Sequence, residues 1–129
     1  MRQPVVIDGI RTPIEKLNGA MKDIQPEEIA AFLLQKRCER SHFDIRLLDA
    51  VILGQAKQSS DQPNIARLAA LMTKFPLEVQ AYTVHRQCGS GMQAVQNAAQ
   101  EIMCGYADFV LAGGIESMSN AQYYLREAR

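Results

Sequence analysis

The chain has 129 residues, 47% of them hydrophobic and 22% charged, which suits one folded domain and argues against disorder. Fourteen Lys and Arg balance fourteen Asp and Glu, which argues against nucleic-acid or membrane-surface binding through overall positive charge. No apolar run approaches the roughly 18 residues of a membrane-spanning helix; the longest is Ile29 to Leu34.

Met1-Arg2-Gln3-Pro4 leads straight into a strand-like run without a signal-peptide pattern, so a cytoplasmic setting is expected. Pro4 to Asp8, with Val5-Val6-Ile7 at its centre, reads as a first strand. Turn chemistry fills residues 9 to 25, at Arg11-Thr12-Pro13 and Asn18-Gly19. Pro26-Glu27-Glu28 then opens a helix. Proline suits its first position, and two carboxylates face the positive end of its dipole. Ile29, Phe32 and Leu33 give it an apolar face that runs to about Arg40.

Leu48 to Leu53 is a second strand, closed by Gly54, and Gln55 to Pro63 is polar loop. Asn64 to Met72 is a short helix with Ile65, Leu68, Ala69 and Met72 on one side, ended by Pro76. Val79 to Val84 is a third strand, with room to run on to Cys88. Gly89 to Cys104 is the strongest helix, with Met92, Val95, Ala98, Ala99, Ile102 and Met103 as its apolar face and Gly105 as its stop. Phe109 to Ala112, closed by Gly113-Gly114, is a fourth strand.

This β-α-β-α-β-α-β order, with continuous apolar strands, predicts a mainly parallel α/β sheet covered on both faces. Ligands collect at the carboxyl ends of such strands. Three loops lie there: Gly54 onward, Arg86 to Gly91, and Gly113 to Asn120.

The cysteines are Cys38, Cys88 and Cys104, and the histidines His42 and His85. With no Cys-x-x-Cys pair or Cys/His quartet, neither a structural zinc site nor any other metal site is expected. Cys88 follows a strand and precedes the strongest helix, between glycines that permit a tight turn and close approach. Helix-start amides and the dipole favour a thiolate there, as in a strand-turn-helix nucleophile elbow. The plain alternative is a small buried residue at a strand end. Ser90 is a second nucleophile candidate, but a thiol ionises far more readily near neutrality.

Other cysteine motifs fail. Gly91 and Met92 break a papain-like pattern, and Ala94 stands where a phosphatase loop needs Arg. No phosphate-cradling Gly-x-x-x-x-Gly-Lys loop exists. His85, three residues before Cys88, would face the other way in extended chain. His42 reads as a surface residue, and Cys38 and Cys104 read as packing thiols. The chemistry lacks a base.

Three segments nevertheless resemble one family. Val5-Val6-Ile7-Asp8-Gly9-Ile10-Arg11-Thr12-Pro13 resembles the opening strand and Arg-Thr-Pro turn of thiolases. Gln87-Cys88-Gly89-Ser90-Gly91-Met92-Gln93-Ala94-Val95 resembles their nucleophilic-cysteine motif. Gly113-Gly114-Ile115-Glu116-Ser117-Met118-Ser119-Asn120 resembles their Gly-Gly-x-Glu-Ser-Met-Ser segment, and Asn64-Ile65-Ala66-Arg67 their Asn-x-Ala-Arg helix start. His85 departs from the pattern, standing where thiolases usually carry Asn.

The resemblance implies acyl transfer with CoA thioesters as substrates and no resident cofactor. Cys88 would take the acyl group as a thioester, and its backbone N–H would form part of an oxyanion hole. Gly89, Ser90 and Gly91 would support the loop. The acyl group would pass to the carbanion of acetyl-CoA or, in thiolysis, to CoA. Thiolases are about three times longer, and their histidine, Asn-Glu-Ala-Phe segment and second cysteine lie in the later part.

The chain thus looks like the first half-fold of a thiolase, with four of its five strands. Residues 1–114 would form the β-α-β-α-β-α-β unit and 115–129 the start of the loop-domain region. A second polypeptide would supply the rest. Thiolase dimers pair their third strands, which places Val79, Ala81, Thr83 and His85 at a twofold interface and implies a heterotetramer. The alternatives are a non-catalytic thiolase-like fragment with a binding or scaffolding role, and a fragment of a related condensing enzyme.

Overall fold

A computed structural model describes residues 2–127; Met1, Ala128 and Arg129, at the outer ends of the two expected segments, lie outside it. Helix α1 spans Pro26–Arg40. The Glu28 carboxylate accepts the Gln25 N–H at 2.9 Å, and Pro26 stands where a helix has no use for its N–H. Strand β1 is Ala50–Gly54, α2 Ile65–Leu71, β2 Gln80–Val84, α3 Ser90–Cys104 and β3 Val110–Gly114. No described helix is long and apolar enough to cross a membrane.

The strands form a parallel sheet in the order β2-β1-β3, with Ala50 opposite both Gln80 and Val110 and Gly54 opposite both Val84 and Gly114. β1 is central and wholly buried, which is why it reads as a continuous apolar run. Its side chains alternate between two cores. Val51 and Leu53 pack with Ala31, Leu34, Ala66 and Ala69 of α1 and α2. Ile52 packs with Ala94 and Ala98 of α3. The expected parallel sheet with helices on both faces is therefore present.

It has three strands among the described residues rather than four. Pro4 to Asp8 makes no ladder, and Val5, Val6 and Ile7 are exposed. Ion pairs tether this segment: Arg2 with Asp108, and Asp8 with Arg37 and Arg40. The Arg40 guanidinium holds the Asp8 carboxyl below the usual carboxylate range. A groove of about 420 Å³ lies between residues 4–10 and β3. The segment therefore has strand composition but no edge at the 4.7–4.9 Å spacing a ladder needs.

Smaller departures share one cause, the small residues at the contacts. Gly54 ends β1 as its last paired residue, and Gly113 and Gly114 are both paired in β3, which ends at Gly114. α3 approaches the sheet on Ala94 and Ala98, which leaves the larger Met92, Val95 and Met103 exposed. α1 buries Ile29, Ala30, Ala31, Leu34 and Cys38, and turns Phe32 outward with the Lys36 ammonium 5.9 Å from its ring centre. Gly105 ends α3 at φ 79°, as the sequence predicts.

Asn64 fastens α2 to β2. Its Oδ1 accepts the Arg67 N–H at 3.1 Å and the Thr83 hydroxyl at 3.0 Å, and its Nδ2 donates to the Ala81 carbonyl. Arg67 donates to the Val79 and Leu77 carbonyls. Removing a helix cap costs about 1 kcal/mol and a part-buried hydrogen bond about another. Asn64→Ala is therefore expected to lower unfolding stability by about 2 kcal/mol, read as an earlier urea midpoint with an unchanged slope.

Candidate active site

The three strands end at one level. Gln55 N–H donates to the Val84 carbonyl and Ile115 N–H to the Gly54 carbonyl, each at 3.0 Å. Gly54, Gly91 and Gly114 bring β1, α3 and β3 together as bare backbone. A Cβ on Gly54 would fall onto the Ser90 and Gly91 main chain, and one on Gly114 would sit 3.1 Å from Gly91 Cα. The start of α3 is thus seated on the ends of β1 and β3.

Between β2 and α3 the chain turns sharply. Gln87 takes φ 48°, a left-handed conformation that costs a side-chain-bearing residue about 1–2 kcal/mol. Gly89 N–H donates to Arg86 O at 3.0 Å and Ser90 N–H to Gln87 O at 3.1 Å. The Ser90 hydroxyl, itself buried, accepts the Arg86 N–H at 2.8 Å and donates to Gln87 O at 2.6 Å. The Cys88 N–H takes part in none of the hydrogen bonds of this turn.

Cys88 is exposed at the apex of the turn. It borders a groove of about 480 Å³ lined by Arg86, Gln87, Met92, Gln93 and Gln96. The Arg86 guanidinium is held against Gln93, Gln93 bonds Asn97, Asn97 reaches the Tyr82 hydroxyl, and that hydroxyl donates to Glu101. Burial, with the Glu101 carboxylate beside it, pushes the Tyr82 phenol up.

The structure places Cys88, Gly89, Ser90 and Gly91 in one turn at the carboxyl ends of the strands. Ser90 is unsuited to nucleophilic attack because its hydroxyl is buried and both donates and accepts within the turn. His85 is exposed, and with Gln87 left-handed the stretch is not extended, so the odd-spacing argument does not apply. Among the described residues neither His85 nor His42 is hydrogen-bonded to Cys88, and both are exposed. Cys38 is a packing thiol whose pKa is raised by burial. Cys104 is a correction: it is the last residue of α3, off the stripe that meets the sheet, and it is exposed. Val79 is buried, Ala81 and Thr83 are half-buried, and all three lie on or beside the β2 edge of the sheet.

Sequence reasoning missed the part played by Glu116. Its carboxylate accepts the Ala56 N–H at 2.8 Å and the Lys57 N–H at 3.1 Å. Beyond it, Gln122 bonds Ser60 and Asp61, and the Tyr124 hydroxyl donates to Gln58 O. The loops after β1 and β3 are therefore strapped together beside the Cys88 turn. The signal in the sequence is the Glu of the Gly-Gly-x-Glu-Ser-Met-Ser segment, just past Gly113-Gly114.

This arrangement suits covalent catalysis by a thiol, with an exposed sulfur on a stiff turn and an unused amide at the same residue. Comparison with known proteins gives the family. The family described as "Thiolase, N-terminal domain" matches residues 4–129. The 3-oxoadipyl-CoA/3-oxo-5,6-dehydrosuberyl-CoA thiolase of Escherichia coli (strain K12) is 40% identical over 130 residues, covering 99% of this chain and 32% of that protein. A probable acetyl-CoA acyltransferase of Staphylococcus epidermidis is 38% identical over 129 residues, covering 100% of this chain and 33% of that protein. The crystal structure of the Bacillus anthracis acetyl-CoA acetyltransferase superposes with a TM-score of 0.87 at 43% identity, over 92% of this chain and 30% of that one. The chain spans about a third of the length of the curated relatives it matches.

Proposed function

The chain belongs to the thiolase family, matching its N-terminal domain, and on that premise we propose that it supplies the acyl-accepting cysteine of an acyltransferase. The observation that carries this reading is Cys88, exposed on a left-handed turn where β2 meets α3. The Cys88 sulfur attacks the carbonyl carbon of an acyl-CoA, and the Cys88 N–H helps to stabilise the oxyanion. The thiolate of CoA leaves with the electron pair of the broken C–S bond, and the acyl group stays as a thioester. In the second half-reaction an acetyl group passes to the carbanion of acetyl-CoA, giving acetoacetyl-CoA; in the reverse direction the sulfur attacks the 3-keto carbon of a 3-ketoacyl-CoA, the acetyl-CoA carbanion leaves and is protonated, and the acyl group then passes to CoA. The proposal includes a cytoplasmic setting and no cofactor beyond the CoA thioesters.

We further propose that a second polypeptide completes the enzyme. Three features support this. β3 has β1 on one side and an open groove on the other, and a bare edge next to apolar walls is a place for another chain to pair. Met92, Val95 and Met103 leave an apolar stripe of α3 uncovered, at 66%, 40% and 37% exposure. No proton shuttle is hydrogen-bonded to Cys88 among the described residues. Pairing of β2 with its copy across a twofold axis would give two of each chain. The scaffolding alternative has that missing shuttle in its favour, but it gives no reason for the stiff turn under Cys88.

The test is CoA release from acetyl-CoA by the chain alone and with the product of the adjacent reading frame. The proposal expects turnover only in the combination. Turnover at ordinary enzymatic rates by the chain alone overturns the division of labour, and none in either sample favours the scaffold.

A further inference from the structure

We propose that Ser90 is a positioning residue for the acyl transfer, and that it acts by holding Gln87 in its left-handed conformation. The inference rests on the reading of Cys88 as the acyl acceptor. The turn before Cys88 has an intrinsic reason to open: Gln87 at φ 48° is disfavoured on its own. Something must hold the backbone on either side of it. The Ser90 hydroxyl does so from both sides, accepting from Arg86 N–H and donating to Gln87 O.

The environment fixes the residue type. Ser90 is 4% exposed, so its hydroxyl is withdrawn from bulk water and makes both its bonds within the turn. A methyl group at this position offers neither a donor nor an acceptor. The Ser90 main chain also lies against Gly54, so the residue cannot shift toward β1. A hydroxyl on a single carbon is the smallest group that donates and accepts at once.

The consequence falls on the reaction. With Arg86 and Gln87 held, the Cys88 N–H stays out of the hydrogen bonds of the turn and is free for the oxyanion. If Gln87 relaxes to a right-handed or extended conformation, the peptide between Gln87 and Cys88 rotates, and that N–H is re-aimed. The sulfur remains exposed either way. Ser90 should therefore govern attack on a thioester, which builds an oxyanion, far more than simple alkylation, which builds none.

The experiment uses the full chain and phenyl thioacetate. This activated thioester acetylates a thiol without a proton shuttle from another polypeptide. The bond from Cys88 Sγ to the acetyl carbonyl carbon forms, the bond from that carbon to the thiophenol sulfur breaks, thiophenolate leaves with its electron pair, and the thiol proton goes to buffer. Iodoacetamide labelling is run alongside. Exposed Cys104 serves as the internal reference, and buried Cys38 reports any loss of the fold.

Ser90→Ala is expected to slow acetylation of Cys88 about tenfold or more, the population ratio set by an unsupported left-handed glutamine. The Cys88 to Cys104 alkylation ratio should stay close to wild type, and Cys38 should stay protected. Glycine adopts positive φ without strain, so Gln87→Gly added to Ser90→Ala should restore acetylation to near the wild-type rate. A role in packing alone would not be rescued this way.

Acetylation unchanged in Ser90→Ala overturns the inference. So does a loss that Gln87→Gly does not restore, or an equal loss of acetylation and alkylation. A wild-type chain that takes no acetyl group at Cys88 instead overturns the functional reading, and this inference with it.

Discussion

Replacing Cys88 by alanine is expected to abolish acyl transfer, by a factor on the order of 10³ or more, while leaving the fold and its assembly intact. The reasoning is one of access and chemistry. Cys88 is exposed at the turn, so removing its sulfur leaves no cavity, and exposed substitutions of this kind stay within about 0.5 kcal/mol. Neither other cysteine can stand in. Cys38 is buried and its thiol is pushed up by desolvation. Cys104 is exposed but ends the same helix that Cys88 precedes, about 20 Å away along it. Cys88→Ser keeps the shape and loses the readily ionised group, so it should fail nearly as completely. Cys104→Ala should leave transfer unchanged. The measurements are acyl transfer with the completing polypeptide present and a pull-down of that polypeptide. Loss of assembly in Cys88→Ala would show that the residue is packing material, and retained transfer would remove it from the mechanism.

Gly54→Ala is the second change expected to have a large effect, although residue 54 is in a buried strand and touches no substrate. The added Cβ would meet the carbonyl carbon and oxygen of Ser90 and the nitrogen of Gly91, closer than real Cβ atoms come. Those are main-chain atoms, so no rotamer can relieve the clash. Either β1 moves, with its wholly buried side chains, or the start of α3 lifts off the sheet. Overpacking of a core costs about 1–3 kcal/mol, and a backbone clash belongs at or above the upper end. A domain has only about 5–15 kcal/mol in hand. Gly54→Ala should therefore lose about 3 kcal/mol in urea unfolding and, where it still folds, most of its acetylation at Cys88. Gly113→Ala is the control: its Cβ would lie 3.9 Å from the Leu53 Cδ2, an ordinary contact, and both properties should stay near wild type. A Gly54→Ala chain with normal stability and normal acetylation would mean that α3 is not seated on β1 as described.

How much of this was legible in the sequence depends on how local the cause is. β1 reads correctly because burial on both faces leaves a continuous apolar run. α3 reads correctly at its end because Gly105 suits the left-handed stop. Val5 to Ile7 has strand composition, yet strand formation needs a neighbour at ladder distance, and none is present among the described residues. Gly54 and Gly114 end their strands as the sequence suggests, but the need for glycine there comes from the close approach of α3, which no local pattern shows. The apolar periodicity of α3 favoured Met92, Val95 and Ala98 for burial; Ala98 is buried, but close approach puts Ala94 at the contact and leaves Met92 and Val95 exposed.

The site divides in the same way. Cys88 and its glycines announce themselves by spacing. The Ser90 hydroxyl does not, since its role depends on the left-handed Gln87 that only the folded turn reveals. Glu116 reaches the amides of Ala56 and Lys57, about 60 residues earlier in the chain, and no local pattern encodes that. Among the described residues no base is hydrogen-bonded to Cys88, and the proton shuttle falls to the completing polypeptide proposed above.

The most direct measurement is the peptide-resolved mass of the assembled enzyme, quenched in acid during turnover of acetyl-CoA. The account predicts one acetyl group, on the peptide containing Cys88, lost again when free CoA is added before the quench. An acetyl group on any other residue, or an unmodified Cys88 while turnover proceeds, would contradict it.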